Sequence, residues 1–254
     1  MITTVTISVA TAAAVAFSAW RFGALDRGGA VAATAVGALV FGFGGLGAAT
    51  VLVFFFVTAS ALSALPGGAP RSRRGARQVL ANGTVAALTA ALIPVSKVAA
   101  VAFLGAVAAA TADTWATEIG IRWGGNPRSI LSFKRQNPGT SGAVSLAGTL
   151  GSAAGAVAVG GVGAWLVAAG GSGTVLAVGM AGLGGAVVDS LLGASLQAVY
   201  RCPECGATPE VARHSGCSEQ AQRVSGVPGL DNDAVNGLAT FTGAVLALLA
   251  QGVF

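Results

Sequence analysis

Residues 109–120, AATADTWATEIG, carry two carboxylates, Asp113 and Glu118, into the end of a long apolar run. On a helix, Asp113, Thr114, Thr117 and Glu118 fall within an arc of about 140°, so the segment has one polar face. A carboxylate on a membrane helix costs about 2.5–3.5 kcal/mol on insertion scales. The pattern favours a functional site at this polar face, and a purely structural ion pair or hydrogen-bonded Asp is the alternative.

Two further acids lie where other apolar runs approach polar loops. Asp189 lies about ten residues before the predicted end of its run, which puts it about 15 Å into the membrane. Asp233 opens the last apolar run, and Asn236 follows about one turn later. Oxygen ligands of this kind suit Mg²⁺, which usually shares its shell with substrate phosphates. The predicted magnesium ligands are Asp113, Glu118, Asp189 and Asp233. For Asp233, helix capping is an equally good explanation.

Basic and polar residues near helix starts predict a phosphate site. Lys134 precedes the segment NPGTSG, residues 137–142, in which Thr140 or Ser141 can cap the helix that follows. Free backbone N–H groups at a helix start attract anions. The residues predicted to bind nucleotide or phosphate are Arg74, Asn82, Thr140, Ser141, Asn232 and Asn236, and the predicted catalytic set is Asp113, Glu118, Asp189 and Lys134. For the basic residues, membrane topology and lipid headgroup contact are the alternative explanation.

The three cysteines and the only histidine form a separate cluster. Cys202, Cys205, His214 and Cys217 follow the spacing C-x₂-C-x₈-H-x₂-C. Three thiolates and one imidazole suit a tetrahedral structural zinc ion. An unmetallated loop with reduced thiols is the alternative. Four protein ligands would fill the shell, so a catalytic role for zinc is not expected.

The composition of the chain defines the elements that must position these residues. Charged residues make up 9% of the 254 residues, against about 25% in a soluble domain. The mean hydropathy is +0.77. A soluble protein cannot bury that much apolar sequence, so we predict an all-α polytopic membrane bundle. The 39 glycines indicate close packing between helices, because small residues let membrane helices approach one another.

The apolar runs predict about eight membrane spans in a single domain covering residues 1–254. The break between the second and third spans, GFGGLG, is also compatible with one kinked or re-entrant element. The longest polar loop, residues 201–231, holds the Cys/His cluster. The predicted spans are residues 3–20, 28–46, 47–65, 79–96, 98–120, 142–168, 174–200 and 234–254.

The basic residues predict the orientation of these spans. Eight spans place thirteen of the fourteen Lys and Arg residues on one side, and only Lys97 falls on the other. The positive-inside rule makes the basic side cytoplasmic, with both termini outside. The loops on the other side are short, so we expect the active face to be cytoplasmic. The net charge of +5 is a topology signal here and does not predict nucleic-acid binding.

Several segments resemble one family of integral membrane proteins. RRGARQVLANG, ATADTWATEIG, NPGTSGAVSLAGTLGS, GGAVVDSLLGASLQ and LDNDAVNGLAT occur here in the family's order. The family includes eukaryotic transmembrane protein 19 and the plant and cyanobacterial phytyl-phosphate kinases, and was long labelled a domain of unknown function. The resemblance covers nearly the whole chain, and its most specific parts are DTWATE and DSLLGA.

The resemblance implies transfer of a phosphoryl group from a nucleoside triphosphate, expected to be CTP, to an isoprenyl monophosphate such as phytyl or geranylgeranyl phosphate. Magnesium is the expected cofactor, and membrane lipids surround the site. Matching motif positions imply a site at Arg74, Asn82, Asp113, Glu118, Thr140, Ser141, Asp189, Asn232, Asp233 and Asn236. The sequence has no GxxxxGK[ST] segment, so no P-loop is expected.

Two other classes of function remain open at this point. A cytidylyltransferase that forms a CDP-lipid would also need acids, cations and a lipid site. A small-solute or ion transporter would use the buried acids as a path for protons or cations. A transporter needs polar access from the outer face as well, and the minimal loops on that side argue against it.

Overall fold

The computed structural model describes residues 2–68, 72–168, 170–207 and 216–251. This part of the chain is mainly helical, as predicted, with four short strands in its loops. The helices are α1 (Ile2–Arg21), α2 (Arg27–Ala64), α3 (Ala76–Leu92), α4 (Lys97–Trp123), α5 (Leu146–Leu166), α6 (Ser172–Ser195) and α7 (Asn232–Gln251). The strands are β1 (Arg128–Ser129), β2 (Ala143–Val144), β3 (Val199–Arg201) and β4 (Gln222–Ser225).

Helix α2 folds back on itself at Gly45, where the backbone leaves the helical region with φ 71° and ψ −169°. Both ends of α2 lie beside Arg74. The N–H of Asp26 donates to the Arg74 carbonyl at 3.1 Å, and the Arg74 guanidinium donates to Ser60 Oγ at 2.9 Å. A straight helix would separate residues 26 and 60 by about 51 Å, so the two halves of α2 must run in opposite directions.

The turn of α2 lies on the opposite side of the bundle from Arg74. A Cβ on Gly44 would lie 3.5 Å from Ile93 Cδ1, just after α3, and one on Gly47 would collide with the carbonyl of Leu166, at the end of α5. Each half of α2 therefore crosses the bundle. Six described helices are long and apolar enough to span a membrane. With α2 counted as two segments and the 17-residue α3 added, eight segments cross the bundle, close to the prediction.

Helix α4 is the centre of the bundle. Every residue from 99 to 112 is buried, including Phe103 and Leu104. Glycines bring its neighbours close: a Cβ on Gly105 would collide with the carbonyl of Gly243 in α7, and a Cβ on Gly182 in α6 would lie 2.8 Å from the Cβ atoms of Ala108 and Ala156. Small residues thus pack α4 against α5, α6 and α7, as the glycine content predicts.

Three predicted helix boundaries need correction by four or five residues. Helix α3 ends at Leu92 rather than at residue 96, and Pro94 follows it. Helix α5 begins at Leu146, four residues later than predicted, and its N-cap is Ser145, whose Oγ accepts from the Gly148 N–H at 3.1 Å. Thr140 and Ser141 therefore lie in the preceding loop and do not cap the helix. Helix α6 ends at Ser195, not at residue 200, because the chain enters strand β3. Asp189 is then about 9 Å from the end of its helix, nearer the loop than predicted.

Most of the polar loops gather on one side of the bundle, which we call the basic face. It comprises residues 22–26, 65–68, 72–75, 124–145, 196–207 and 216–231 of the described chain. Strands β1 and β2 pair antiparallel in the loop before α5, and β3 and β4 pair antiparallel in the loop before α7. These pairs hold the loops over the ends of the helices that carry the predicted site.

Candidate functional site

A cavity of about 580 Å³ opens among the helices towards the basic face. Its volume is within the range of ligand sites, about 300–1,000 Å³. One part of its wall is polar, with Ser63, Arg74, Gln78, Asn82, Asp113, Thr114, Thr117, Glu118, Thr140, Ser141, Ser152, Asp189, Ser190, Asn232 and Asn236. Another part, from α1 and α2, is apolar, with Val15, Ala16, Val36, Phe41, Leu52, Val53, Phe55 and Phe56. The cavity is therefore amphiphilic.

Asp113 of α4 and Asp189 of α6 are brought together in this cavity, as predicted. Their carboxyl groups are close enough to interact directly. Asp113 directly follows Ala112, and Asp189 is three residues after Ala186; these two alanines form an apolar cluster with Ala156 where α4, α5 and α6 meet. Two carboxylates side by side repel each other when both are ionised, so the pair favours binding of a proton or a cation.

Two buried oxygens in the described chain have no hydrogen-bond partner, Asp189 Oδ2 and Ser152 Oγ. Both side chains line the cavity, and Ser152 is 3% exposed. Buried polar atoms are nearly always paired in native structures, so these two oxygens are suited to bind polar groups of a ligand in the cavity. Sequence reasoning missed Ser152, because a serine in a glycine-rich helix gives no signal of its burial.

Arg74 is the only basic side chain of the described residues that lines the cavity. Its guanidinium donates to Ser60 at 2.9 Å and to Ser63 at 3.5 Å, and lies 5.6 Å from the centre of the Phe56 ring. No carboxylate of the described chain lies within ion-pair distance of it. Burial lowers the pKa of Arg74 from its ordinary value, and Glu118 partly opposes that shift. A buried guanidinium held by neutral hydroxyls is suited to receive an anionic ligand.

Glu118 lines the cavity, but both its oxygens are already engaged. Ser63 donates to Oε1, and the Arg122 guanidinium donates to Oε2 at 2.6 Å. Arg122, which is 3% exposed, also donates to the carbonyls of Leu65 and Pro66 at 2.7 and 3.2 Å. Glu118 and Arg122 therefore fasten the end of α2 to α4. Sequence reasoning counted Arg122 only among the charges of its loop and missed this role.

The other predicted residues divide into two groups. Asn82, Thr140, Ser141, Asn232 and Asn236 line the cavity, and Asn236 is buried. Lys134 is exposed and Asp233 forms an ion pair with Arg77 at 3.6 Å, and neither lines the cavity. Arg77 also pairs with Asp231, whose Oδ1 accepts from the Ala234 N–H at the start of α7. Asp231, not Asp233, therefore caps α7, and Asp233 lies in the first turn of the helix, paired with Arg77.

The three cysteines lie on the basic face, at the β3–β4 hairpin. Their sulfur atoms are all within 4.8 Å of one another, the only such group of three possible metal ligands in the described chain. The pKa of Cys217 is raised to about 12, first by its hydrogen bond to Cys205. His214 lies outside the described residues, so its place as fourth ligand stays a prediction.

The residues in the cavity fit magnesium better than a closed metal cage. Asp113 and Asp189 supply two carboxylates, one with an unpartnered buried oxygen. Magnesium is commonly held by one or two carboxylates, with waters and substrate phosphates completing its shell. Glu118 and Asp233 are already paired with arginines, so they are weaker candidates than the sequence suggested.

Comparisons with known proteins agree with this architecture. A family model described as an integral membrane protein, DUF92, matches residues 10–244. An uncharacterized membrane protein of Methanocaldococcus jannaschii is 31% identical over 177 residues, which is 67% of this chain and 74% of that protein. Protein PGR of Arabidopsis thaliana is 28% identical over an alignment of 274 positions, covering 93% of this chain and 92% of that protein. No solved structure matches. The chain belongs to the DUF92 family of integral membrane proteins.

Proposed function

We propose that this protein is a lipid-phosphate kinase, which transfers a phosphoryl group from CTP or another nucleoside triphosphate to an isoprenyl monophosphate. The observation that best supports the proposal is that one cavity combines an acid pair, a buried arginine and an apolar wall. The choice of phytyl or geranylgeranyl phosphate as acceptor rests on the sequence resemblance described above.

The polar part of the cavity is the proposed place of phosphoryl transfer. Asp113 and Asp189 would hold magnesium, which when bound would supply positive charge on the nucleotide phosphates. Asn82, Asn232 and Asn236 offer amide groups to the nucleotide from two other helices. Protein groups in phosphoryl transfer mainly position the reactants and neutralise charge, and these side chains can do both.

The proposed reaction needs little proton transfer. An oxygen of the lipid phosphate attacks the γ-phosphorus, and the bond between that phosphorus and the β–γ bridging oxygen breaks. The products are the lipid diphosphate and the nucleoside diphosphate. A phosphate monoester has a second pKa of about 6, so the attacking oxygen is mostly ionised near neutral pH. The protein must chiefly overcome repulsion between two anions.

Arg74 is placed to reduce that repulsion. Its charge lies in the cavity wall, held by Ser60 and Ser63, and no carboxylate of the described residues is in ion-pair contact with it. Preorganised charge in a water-poor site stabilises a transition state more than the same charge in water. Glu118 acts in this proposal as a positioning residue, because with Arg122 it fixes the helix end that carries Ser63.

The apolar wall is the proposed site of the isoprenoid chain. The aromatic side chains Phe41, Phe55 and Phe56 come from the two halves of α2, and Val15 and Ala16 come from α1. The fold-back of α2 brings this wall to the polar part of the cavity, which lets one molecule contact both. The basic face is the proposed cytoplasmic face, where soluble nucleotides are available.

The position of a radiolabel in the lipid product tests this proposal. Purified protein is incubated with phytyl phosphate, magnesium and CTP carrying label at either the γ- or the α-phosphate. A kinase places the γ-label in the lipid and leaves the α-label in the nucleotide. Incorporation of the α-label with loss of the γ-label would contradict the kinase and identify a CDP-lipid cytidylyltransferase.

A further inference from the structure

The cysteine sulfurs on the basic face are already arranged at nearly metal-binding distances. Cys202, Cys205 and Cys217 have sulfur atoms within 4.8 Å of one another. A tetrahedral zinc ion with Zn–S bonds near 2.3 Å places its sulfurs about 3.8 Å apart. The cluster would therefore have to contract by at most about 1 Å to enclose the ion.

The two segments that carry the cysteines are held together by Glu204. Its carboxylate accepts from the backbone N–H of Ser218 at 2.9 Å and of Glu219 at 3.2 Å, and from the Ser218 hydroxyl at 3.2 Å. Glu204 lies between Cys202 and Cys205, and Ser218 follows Cys217. These bonds hold the segment after Cys217 beside the turn that carries Cys202 and Cys205.

The Cys202–Cys205 segment is a tight turn with its own backbone bonds. The Cys202 N–H donates to the Ala207 carbonyl at 2.8 Å, and the Gly206 N–H donates to the Cys202 carbonyl at 2.9 Å. Gly206 has φ +72°, a conformation that other L-residues adopt at a cost. A turn fixed in this way presents two thiols to the same point, as metal-binding C-x₂-C turns do.

We propose that Cys202, Cys205 and Cys217 bind a structural zinc ion that locks the β3–β4 hairpin between α6 and α7. The site is distinct from the cavity and does not depend on the proposed kinase activity. Thiolate ligands select zinc over magnesium, so the protein would bind two chemically different metals at separate places.

The position of the hairpin gives the zinc its role. The Ala198 N–H donates to the Leu230 carbonyl at 2.8 Å, and the Val227 N–H donates to the Leu196 carbonyl at 2.8 Å. These bonds join the end of α6 to the start of α7. Asp189 lies on α6 and Asn232 begins α7, so a zinc ion in the hairpin would add a fixed link between two helices that line the cavity.

Metal analysis of protein purified without chelators tests this inference. We expect about one zinc ion per chain, lost in Cys205→Ser and Cys217→Ser and retained in the matched hairpin variant Val224→Ala, whose side chain is exposed. A thiol reagent added to the wild-type protein should release zinc in proportion to the thiols that react. Chelation should lower the unfolding temperature, and added zinc should restore it.

Wild-type protein decides the matter even if the cysteine variants fail to fold. Purified wild-type chains that carry no thiolate-bound metal would overturn the inference, as would a disulfide between two of the three cysteines found by mass analysis. Zinc that survives in a folded Cys217→Ser variant at wild-type content would also overturn it.

Discussion

At the scale of single residues, the acid pair of Asp113 and Asp189 is the centre of the proposed site. The two side chains come from different helices and meet in the cavity beneath the basic face. Placing two carboxylates side by side in the membrane is costly, and a bound cation or proton would offset that cost.

Asp113→Asn should therefore separate activity from folding. The variant keeps the shape and removes the charge, and we expect the rate to fall by at least about 100-fold. Insertion and thermal stability should be retained, because a neutral amide is easier to place in a membrane than a carboxylate. Asp113→Glu should also fail, since magnesium tolerates little ligand displacement. Near-normal turnover in both Asp113→Asn and Asp189→Asn would make these acids structural.

Substitution of Ser152 gives a second test, in which protein stability and metal binding should respond differently. Its hydroxyl is buried without a partner, so Ser152→Ala should leave stability unchanged or raise it by about 1 kcal/mol. If the hydroxyl helps to bind the metal ion proposed for the cavity, the same variant should weaken Mn²⁺ binding, measured by electron paramagnetic resonance, by about 10-fold. The matched control is Ser195→Ala, whose side chain is exposed at the end of α6. Lower stability with unchanged Mn²⁺ binding would assign Ser152 to packing alone.

These residues also show where sequence reasoning ends. Asp113 and Asp189 were predictable because a carboxylate in an apolar run is costly and therefore informative. Ser152 and Arg122 were not, since a serine in a small-residue helix is common and an arginine near a helix end is normally a topology signal. Their importance depends on burial and on partners from other helices, which no local pattern encodes.

At the scale of helices, the fold-back of α2 decides how the site is assembled. It brings Ser60 and Ser63 to Arg74 and brings aromatic side chains from both halves of α2 to one cavity. The sequence predicted the turn at GFGGLG but left a kinked element open. The contacts at both ends of α2 show that it forms two antiparallel segments. Hydropathy alone cannot show this, because it does not indicate whether the chain reverses after a glycine-rich break.

Gly45 should be sensitive to substitution for backbone reasons alone. Its φ of 71° is unfavourable for alanine, yet no atom lies within 4 Å of the Cβ position, so steric collision does not contribute. We expect Gly45→Ala to cost about 1–3 kcal/mol, seen as a lower unfolding temperature in detergent. The control Gly161→Ala in α5 also has open space but no positive φ, and should not lower stability. Equal stability of both variants would contradict the turn at Gly45.

At the scale of the whole molecule, the eight crossing segments put nearly all polar loops on the basic face. The fold class and approximate span count followed from hydropathy and charge. Helix α5 begins four residues later than predicted, and α6 ends five residues earlier. In both places a strand or a serine cap forms in sequence that is apolar enough to continue a helix. Boundaries of this kind depend on tertiary pairing.

Cysteine labelling in sealed vesicles checks the orientation of the bundle. A cysteine at Ser72 should react only from the cytoplasmic side, and one at Gly171 only from the outside, since the two positions lie on opposite faces. The modified peptides are identified by mass, which separates labels on the introduced cysteines from labels on the native ones. Labelling of both positions from the same side would contradict the three crossings, α3, α4 and α5, that separate Ser72 from Gly171.

The central claim is that this membrane protein makes a lipid diphosphate. The most direct measurement is mass analysis of the lipid after purified protein is incubated with CTP, magnesium and phytyl or geranylgeranyl phosphate, with Asp113→Asn protein in parallel. The account predicts a lipid heavier by one phosphoryl group with the wild-type protein and almost none with the variant. Unchanged lipid from folded, magnesium-loaded wild-type protein, or equal product from the Asp113→Asn protein, would contradict it.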